Sequence, residues 1–297
     1  MKKLCANDAT IFTFDKQHPA KLTVNPGDKI AITTKDCFSN LVDEQNTLAT
    51  LDWNQINPAT GPIYVKDAQK GDILKVTIHS IELADQGVCA VGPGFGLVPI
   101  EKMTQKIIPI REQQAIFSES IHLPLNPMIG VIGVAPEGEA ISTGTPDAHG
   151  GNMDTKLIKE GAILYFPIFT EGALFALGDL HAVMGDGEIG GSGLEIAGTV
   201  IVTLDLIKTA DPELKIAHPI IETDDHFAFI VSRETIDQAI IDATNIGVHH
   251  LQKALNISLE DATMLGSIAC QAQISQLVDP QLTARFMVPK TLLPKLF

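Results

Sequence analysis

Glycine residues crowd the segment from Asp147 to Glu195 and constrain how this part of the chain can fold. Acidic and imidazole side chains stand among them, including His149, Asp154, Asp179, His181, Asp186, Glu188 and Glu195. Because glycine permits tight turns and close backbone approach, the segment can bring these side chains to one point. A merely solvated surface needs neither the glycines nor the histidines. The segment therefore predicts a metal-centred site suited to hydrolytic chemistry.

Composition limits the partners that such a chain can have. With 297 residues, 45% of them apolar, the chain can bury a substantial core. Its formal charge of -15 argues against nucleic acid or an anionic membrane as the main partner, since both attract clustered Lys and Arg. No apolar run is long enough for a spanning helix, and the first residues do not resemble a signal peptide, so a cytoplasmic location is expected. Four scattered cysteines without a CxxC pair indicate reduced thiols.

Residues 1–208 read as a series of strands. Leu22 and Val24 are followed by the turn at residues 25–28, after which Ile30 and Ile32 resume the alternation, and this pattern predicts a hairpin. Further strands are predicted at residues 74–78, 162–169, 173–177 and 199–206. The fold class expected from this pattern is mainly β with α+β decoration, with a β-sandwich or barrel-like body.

The character of the chain changes after Lys208, where residues 209–219 are polar and contain two prolines. We predict a β-rich catalytic body over residues 1–208 and an α+β segment over residues 209–297. The segment is expected to hold a helix from about Ile236, a second helix capped by Ser258, and a strand at residues 283–288. It shows no chemical cluster, which favours a role in covering a sheet edge or contacting another subunit.

Asp179 and His181 carry the strongest signal for a metal. They stand two residues apart, so on a continuous strand they project from the same face. Carboxylate oxygen and neutral imidazole nitrogen are both ligands of zinc. The alternative is a buried histidine that is satisfied by its neighbouring aspartate.

Asp186 and Glu188 follow directly in the sequence. A carboxylate beside an activated water can take its proton and pass it to a leaving nitrogen, which makes these residues candidates for general base and acid. In isolation the Asp-Gly pair indicates only a turn. The same stretch formally matches the glycine pattern of dinucleotide sites, but it places two acids where pyrophosphate would sit, and no amphipathic helix follows.

Two further segments supply candidates. His149 and Asp154 lie in a glycine-rich loop that is either part of the site or a surface loop. Asp36 and Cys37 end a predicted strand, where site residues are common. Asp36 is a candidate metal ligand, and Cys37 is either a nucleophile or a small core residue.

These residues resemble the acetamidase/formamidase family. The resemblance rests on Asp36-Cys37-Phe38-Ser39-Asn40, on residues 57–62, 150–154, 172–182 and 185–188, and on the closing block at residues 288–290, so it spans nearly the whole chain. It implies hydrolysis of small aliphatic amides to a carboxylic acid and ammonia, a divalent metal with zinc expected, and homo-oligomeric assembly. Met184 stands where formamidase-like members tend to carry Gln, which favours acetamide as the substrate.

Taken together, these signals give a set of hypotheses. Glu188 and Asp186 are the candidate catalytic residues. The candidate metal ligands are Asp36, His149, Asp154, Asp179 and His181, and the candidate substrate-binding residues are Asn40, Asn152 and Met184. No organic cofactor is expected. The alternatives are a thiol-dependent amidase that uses Cys37, and a β-rich ligand-binding protein without catalysis.

Overall fold

The fold is known from a computed structural model that describes residues 1–43, 45–48, 51–209 and 215–296. Strands are numbered along the chain. One sheet contains β1 (Lys2–Leu4), β5 (Asp28–Thr34), β7 (Ile73–Leu83), β15 (Ile163–Pro167), β18 (Gly198–Ile207), β19 (Ile220–Glu222), β20 (His226–Arg233), β21 (Gln271–Gln276) and β22 (Leu282–Pro289). Its strand order is β1-β5-β18-β7-β15-β19-β20-β22-β21. Among the described residues of this sheet, the strands β1 and β5 are paired in parallel and the other pairs are antiparallel.

A second sheet carries most of the residues of interest. It contains β2 (Thr10–Ile11), β4 (Leu22–Val24), β6 (Ala59–Val65), β8 (Gln86–Val91), β9 (Thr104–Arg111), β10 (Gln114–Ile116), β11 (His122–Pro124), β12 (Met128–Gly133), β14 (Gly150–Asn152), β16 (Phe175–His181) and β17 (Glu195–Ile196). Strand β16 is central, because it pairs with β12, β17 and β6. A small third sheet joins β3 (Thr13–Phe14) to β13 (Ile141–Ser142).

The main hydrophobic core lies between the two large sheets. Strand β7 presents Leu74, Val76 and Ile78 to it, all essentially inaccessible to solvent, while the intervening residues are more exposed. Phe175 and Leu177 of β16 pack into the same core from the second sheet. This arrangement confirms the prediction of a mainly β fold with a sandwich-like body.

The hairpin predicted around residues 25–28 is wrong, although the turn itself forms. The amide of Asp28 donates to the carbonyl of Asn25 over 3.1 Å, and Gly27 has a φ of 83°. However, β4 pairs with β6 in one sheet, whereas β5 pairs with β1 and β18 in the other. The turn therefore carries the chain across the core. Alternation alone could not distinguish this crossing from a hairpin, since both bury Val24 and Ile30.

The C-terminal segment adds two helices, α1 (Ile236–Leu255) and α2 (Leu259–Ala269), and extends the first sheet through β19 to β22. Ser258 caps α2, and its hydroxyl accepts a hydrogen bond from the amide of Asp261 over 3.0 Å, as the sequence predicts. A second core cluster joins α1 to β20 and β22 through residues such as Leu251, Phe229 and Phe286. Part of the predicted loop, residues 210–214, lies outside the described residues. No described helix has both the length and the apolar character needed to cross a membrane.

Candidate active site

His181 lies at the centre of a group of buried carboxylates. Its Nδ1 atom is 3.7 Å from Oδ1 of Asp154, and its Nε2 atom is 3.0 Å from Oε2 of Glu195. The same Nε2 atom lies 3.7 Å from Asp179 Oδ1 and 3.9 Å from Glu188 Oε1. These side chains are all at most 5% exposed. The glycine-rich segment therefore brings five of its predicted residues together, Asp154, Asp179, His181, Glu188 and Glu195.

The backbone of the site adopts unusual conformations. Asp154, Asp179 and Glu188 have φ angles of 37°, 55° and 47°, in the left-handed region that residues other than glycine seldom occupy. Such conformations persist where the surrounding structure imposes them, and they cluster at functional sites. The positive φ at Asp179 also interrupts the regular alternation of β16, so the two-residue spacing alone does not fix its direction.

Close packing around the carboxylates requires glycine at position 130. A Cβ atom there would lie 2.4 Å from Oδ1 of Asp154 and 2.6 Å from Oδ2 of Asp179. Gly130 belongs to β12, which pairs with β16. The neighbouring strand thus leaves just enough room for two acids to meet above its backbone.

Two more carboxylates join the cluster from distant parts of the chain. Burial raises the pKa of Asp36 to about 6, and the carboxylate of Asp179 adds to this shift. Burial, together with the carboxylates of Asp154 and Asp179, raises the pKa of Asp279 well above its usual value. Burial also raises the pKa of Glu195 to about 7, against the opposing effect of His181.

The protonation of the central groups follows from the same crowding. Burial alone lowers the pKa of His181, but Glu195 and Asp179 outweigh it, and the net pKa is well above the usual value. Burial raises the pKa of Glu188 strongly, and Glu195 and Asp279 act in the same direction while His181 opposes them. The cluster thus combines six carboxyl groups with one imidazole, and it holds a large excess of potential negative charge.

This donor set fits a divalent cation. Two groups of described residues each present three donor atoms within 4.8 Å of one another: one comprises Asp154, His181 and Glu188, and the other comprises Cys37, Asp179 and Glu195. Several of these buried atoms have no hydrogen-bond partner among the described residues, including both carboxylate oxygens of Asp154, Oδ1 of Asp179 and Nδ1 of His181. Buried polar atoms are rarely left unpaired, so the orphaned atoms point to a missing ligand.

A cavity of about 260 Å³ opens onto this cluster. Asp179, Glu188, Glu195, Asp279 and Asn152 form its polar part. Asp154 and His181 do not line the cavity, and each is only 1% exposed to solvent. A molecule in the cavity would therefore meet the carboxylates of Glu188 and Asp179 directly.

Asn152 and Asp279 form a pair at the cavity wall. The amide nitrogen of Asn152 donates to Oδ1 of Asp279 over 3.2 Å, and the amide oxygen of Asn152 has no partner among the described residues. This fixes the orientation of the amide, so that its oxygen remains available as an acceptor. Asn152 lines the cavity, and its role in substrate binding stays a prediction.

Asp186 occupies a different environment from Glu188. Its Oδ2 atom accepts a hydrogen bond from Nη2 of Arg285 over 2.7 Å and lies 2.8 Å from Nζ of Lys156. Burial acts to raise the pKa of Asp186, but these two cations prevail and lower it. Asp186 does not line the cavity that contains Glu188, Asp179 and Glu195. Its predicted catalytic role remains a prediction.

The remaining candidates lie outside the two groups of converging donor atoms, and their predicted roles stay predictions. The ring of His149 packs edge-on against Phe14 with 5.0 Å between centroids, burial lowers its pKa to about 4, and it belongs to neither donor group. Asn40 exchanges hydrogen bonds with Asp36: its side-chain oxygen accepts from the Asp36 amide, and its own amide donates to Oδ1 of Asp36. Met184 lines a second, more apolar cavity, which shares Glu188 with the first.

Cys37 lies against the carboxylate cluster. Burial raises the pKa of its thiol well above the usual value, and Glu195, Asp179 and Asp36 raise it further. A thiolate is the nucleophilic form of cysteine, and this environment disfavours it strongly. This environment therefore favours the protonated thiol over the thiolate.

The family model for the "Acetamidase/Formamidase family" matches residues 6–143 and 137–294. The chain belongs to the acetamidase/formamidase family. This confirms the resemblance drawn from the motifs around Asp36 and Asp179.

Solved structures of acetamidase/formamidase proteins share this fold over nearly their whole length. A recombinant predicted acetamidase/formamidase from Thermoanaerobacter tengcongensis is 46% identical, with a TM-score of 0.95 and coverage of 99% of this chain and 97% of that one. An acetamidase from Bacillus halodurans is 43% identical, with a TM-score of 0.94 and 99% coverage of both chains.

Curated relatives are more distant. The formamidase of Methylophilus methylotrophus is 24% identical over 269 residues, which cover 69% of this chain and 65% of the relative. This acetamidase/formamidase chain thus spans under two thirds of the length of the curated relatives named first among its matches.

Two residues of this family member were missed as site residues from the sequence. Glu195 was noted among the acids of the glycine-rich segment but received no role, although it is the carboxylate nearest to His181. Asp279 follows β21 in the C-terminal segment, which showed no chemical cluster. In the sequence, the available signal was an acid followed directly by proline, Asp279-Pro280.

Proposed function

We propose that this chain is an amidohydrolase that cleaves the C–N bond of small carboxamides, with water as co-substrate and a carboxylic acid and ammonia as products. The observation that carries the proposal is the buried ring of carboxylates around His181, which opens onto a cavity of substrate size. Membership of the acetamidase/formamidase family supports the choice of amides.

A divalent cation belongs to the proposal, with zinc expected. Asp154 and His181 would hold it, together with Asp179, because a carboxylate oxygen of each aspartate lies 3.7 Å from the His181 ring and several of these donor atoms lack partners among the described residues. When bound, such a cation polarises a carbonyl oxygen and makes water a better nucleophile. Oε2 of Glu195 lies close to Nε2 of His181. A carboxylate in this position commonly orients an imidazole that binds a metal through its other nitrogen.

Glu188 serves as general base and then as general acid. It lines the cavity, and burial raises its pKa, which makes its carboxylate a stronger base for taking a proton than an exposed glutamate would be. The carboxylate takes a proton from the attacking water and delivers it to the amide nitrogen as the C–N bond breaks. Without this second transfer the leaving group would be an amide anion, which is a very poor one.

Asn152 orients the substrate. Asn152 lines the cavity and has an amide oxygen without a partner among the described residues, and the NH₂ group of a carboxamide substrate donates hydrogen bonds. The Asp279 carboxylate holds the Asn152 side chain in this orientation. Homo-oligomeric assembly, expected from the family resemblance, also belongs to the proposal.

Replacing Glu188 tests the proposal. Ammonia release from acetamide and formamide by the purified chain should fall by about 10²–10⁴-fold in Glu188→Gln, because that is the usual contribution of general acid–base catalysis. Bound metal should be retained, since Gln keeps one oxygen donor. Glu139→Gln, at an exposed position, is the matched control.

Two outcomes count against the proposal. Full turnover in Glu188→Gln would remove Glu188 from the mechanism. Failure of the unaltered chain to release ammonia from any amide would favour the alternative of a ligand-binding protein on the same scaffold.

A further inference from the structure

The cavity beside Glu188 is larger than a two-carbon amide requires, and this inference rests on the function proposed above. Its volume is about 260 Å³. At roughly 30 Å³ for each non-hydrogen atom, the share of a water molecule in the liquid, it holds about nine such atoms. A carboxamide group accounts for three of them, which leaves space for an acyl substituent of about six carbons.

An aromatic wall, formed by Phe38, Trp53 and Phe95, lines the same cavity as the carboxylates. The rings of Trp53 and Phe95 meet edge to face, with centroids 5.2 Å apart and planes at 85°. Phe38 is buried, and Ile56 adds an aliphatic contact. Acetamide offers one methyl group to these surfaces and would leave most of the wall uncovered.

Trp53 is held in place from both ends of its segment. It begins the short helical turn Trp53–Gln55, in which the amide of Asn54 donates to the side chain of Asp52. The hydroxyl of Ser39 donates to the carbonyl of Gln55 over 2.7 Å, and the amide of Asn57 donates to the carbonyl of Cys37 over 2.8 Å. The turn is therefore tied to the segment that carries Phe38.

Phe95 is tied to the loop that carries Glu188. The amide of Leu97 donates to the carbonyl of Ile189 over 2.8 Å. Gly191 has a φ of 83°, and a Cβ atom on it would lie 3.0 Å from Cβ of Phe95. The aromatic wall and the general base are thus parts of one connected structure, as expected of a pocket that sets substrate specificity.

We propose that the preferred substrate is a primary carboxamide whose acyl group is branched or aromatic and contains about four to seven carbons. The amide group lies among Glu188, Asp179 and Asn152, and the acyl group lies on the aromatic wall. Each methylene that moves from water onto an apolar surface contributes about fourfold in affinity. Two or three extra carbons therefore change kcat/KM by about tenfold or more.

The first test compares amides on the purified full chain supplied with ZnCl₂. Isobutyramide and benzamide should exceed acetamide in kcat/KM by about tenfold or more. In Trp53→Ala and Phe95→Ala, the ratio of kcat/KM for benzamide to kcat/KM for acetamide should fall by about tenfold. Phe12→Ala removes a partly exposed aromatic ring that lines neither this cavity nor the second one, and its benzamide-to-acetamide ratio of kcat/KM should not change.

The second test measures binding without turnover. Trp53 is the single tryptophan of the chain, so its fluorescence reports on the aromatic wall alone. Benzamide should change this fluorescence in Glu188→Gln in a saturable manner, at a concentration at which acetamide does not. Absence of any change with benzamide would overturn the inference.

The outcomes separate the inference from the function on which it rests. Hydrolysis of acetamide in clear preference to isobutyramide and benzamide would overturn the inference and leave amide hydrolysis standing. An equal loss on all amides in Trp53→Ala would also overturn it, because the ring would then act only in holding the structure. Hydrolysis of no amide would overturn both.

Discussion

Asp186 on the loop before Glu188 is bound to Arg285 of β22, and Oδ2 of the aspartate lies 2.7 Å from Nη2 of the arginine. Arg285 is 1% exposed, and it also donates to the side chains of Gln273 and Ser275. The amide of Gly187 donates to the carbonyl of Ser275 over 2.7 Å. The C-terminal strands thus anchor the loop that presents Glu188 to the cavity.

This anchoring gives a prediction for Asp186→Asn. The change weakens the hydrogen bonds to Arg285 and Lys156, so we expect the free energy of unfolding to fall by about 1–3 kcal/mol. We expect a smaller loss of kcat than in Glu188→Gln. Urea denaturation and ammonia release measure the two effects, and Asp225→Asn, at an exposed ion pair, is the control. A loss of turnover equal to that of Glu188→Gln, with stability unchanged, would instead establish Asp186 as a catalytic residue.

Gly130→Ala should inactivate the protein through geometry alone. The added methyl group would lie 2.4 Å from Asp154 Oδ1 and 2.6 Å from Asp179 Oδ2, so both carboxylates must move. A displacement of about 1 Å in a catalytic site costs about 10²-fold in rate. Gly138→Ala is the matched control, because no atom lies within 4 Å of its added carbon. Normal turnover in Gly130→Ala would show that the two carboxylates need not stay where they are.

Metal content should depend on His181 and not on His149. Only His181 belongs to a group of converging donors in the described part of the chain, so His181→Ala should lose bound metal as measured by mass spectrometry of the dialysed protein. His149→Ala should keep it. Glu195→Gln should bind metal about 10–100-fold more weakly, as expected for a residue that orients a ligand. Loss of metal in His149→Ala would restore His149 as a ligand.

Cys37→Ala should retain near-normal turnover. Burial and the nearby carboxylates keep the thiol protonated, so it is a poor nucleophile. For the same reason iodoacetamide should modify the exposed Cys5 much faster than Cys37, which peptide mapping can follow. Cys270→Ala, at another buried thiol, controls for lost packing. An inactive Cys37→Ala that still binds metal would support the thiol-dependent alternative.

Local patterns in the sequence predicted features that depend on short stretches of chain. The alternation at Leu74 and Val76, the cap at Ser258, and the grouping of Asp179 with His181 all follow from neighbouring residues, and the structure contains each of them. The turn at residues 25–28 was also visible, but its strands join different sheets. A turn signal fixes the local backbone and does not specify the partners of its strands.

Contacts between distant segments were beyond the reach of such patterns. Asp279 meets Asn152 across 127 positions, and Arg285 meets Asp186 across 99 positions. Their pairing depends on the order of strands in both sheets, which spacing along the chain does not encode. For this reason the sequence pattern showed no chemical cluster in the C-terminal segment. The segment nevertheless supplies the carboxylate of Asp279 to the cluster, and its Arg285 anchors the loop that carries Glu188.

The left-handed backbone at Asp154, Asp179 and Glu188 means that the scaffold tolerates these acids at a cost to its own stability. Glycine or asparagine adopts the left-handed backbone conformation at a lower energetic cost. Neutral side chains at these positions would also remove the repulsion between neighbouring carboxylates. Laboratory evolution for heat resistance alone should therefore replace these three acids early and yield more stable proteins that have lost the carboxylate cluster.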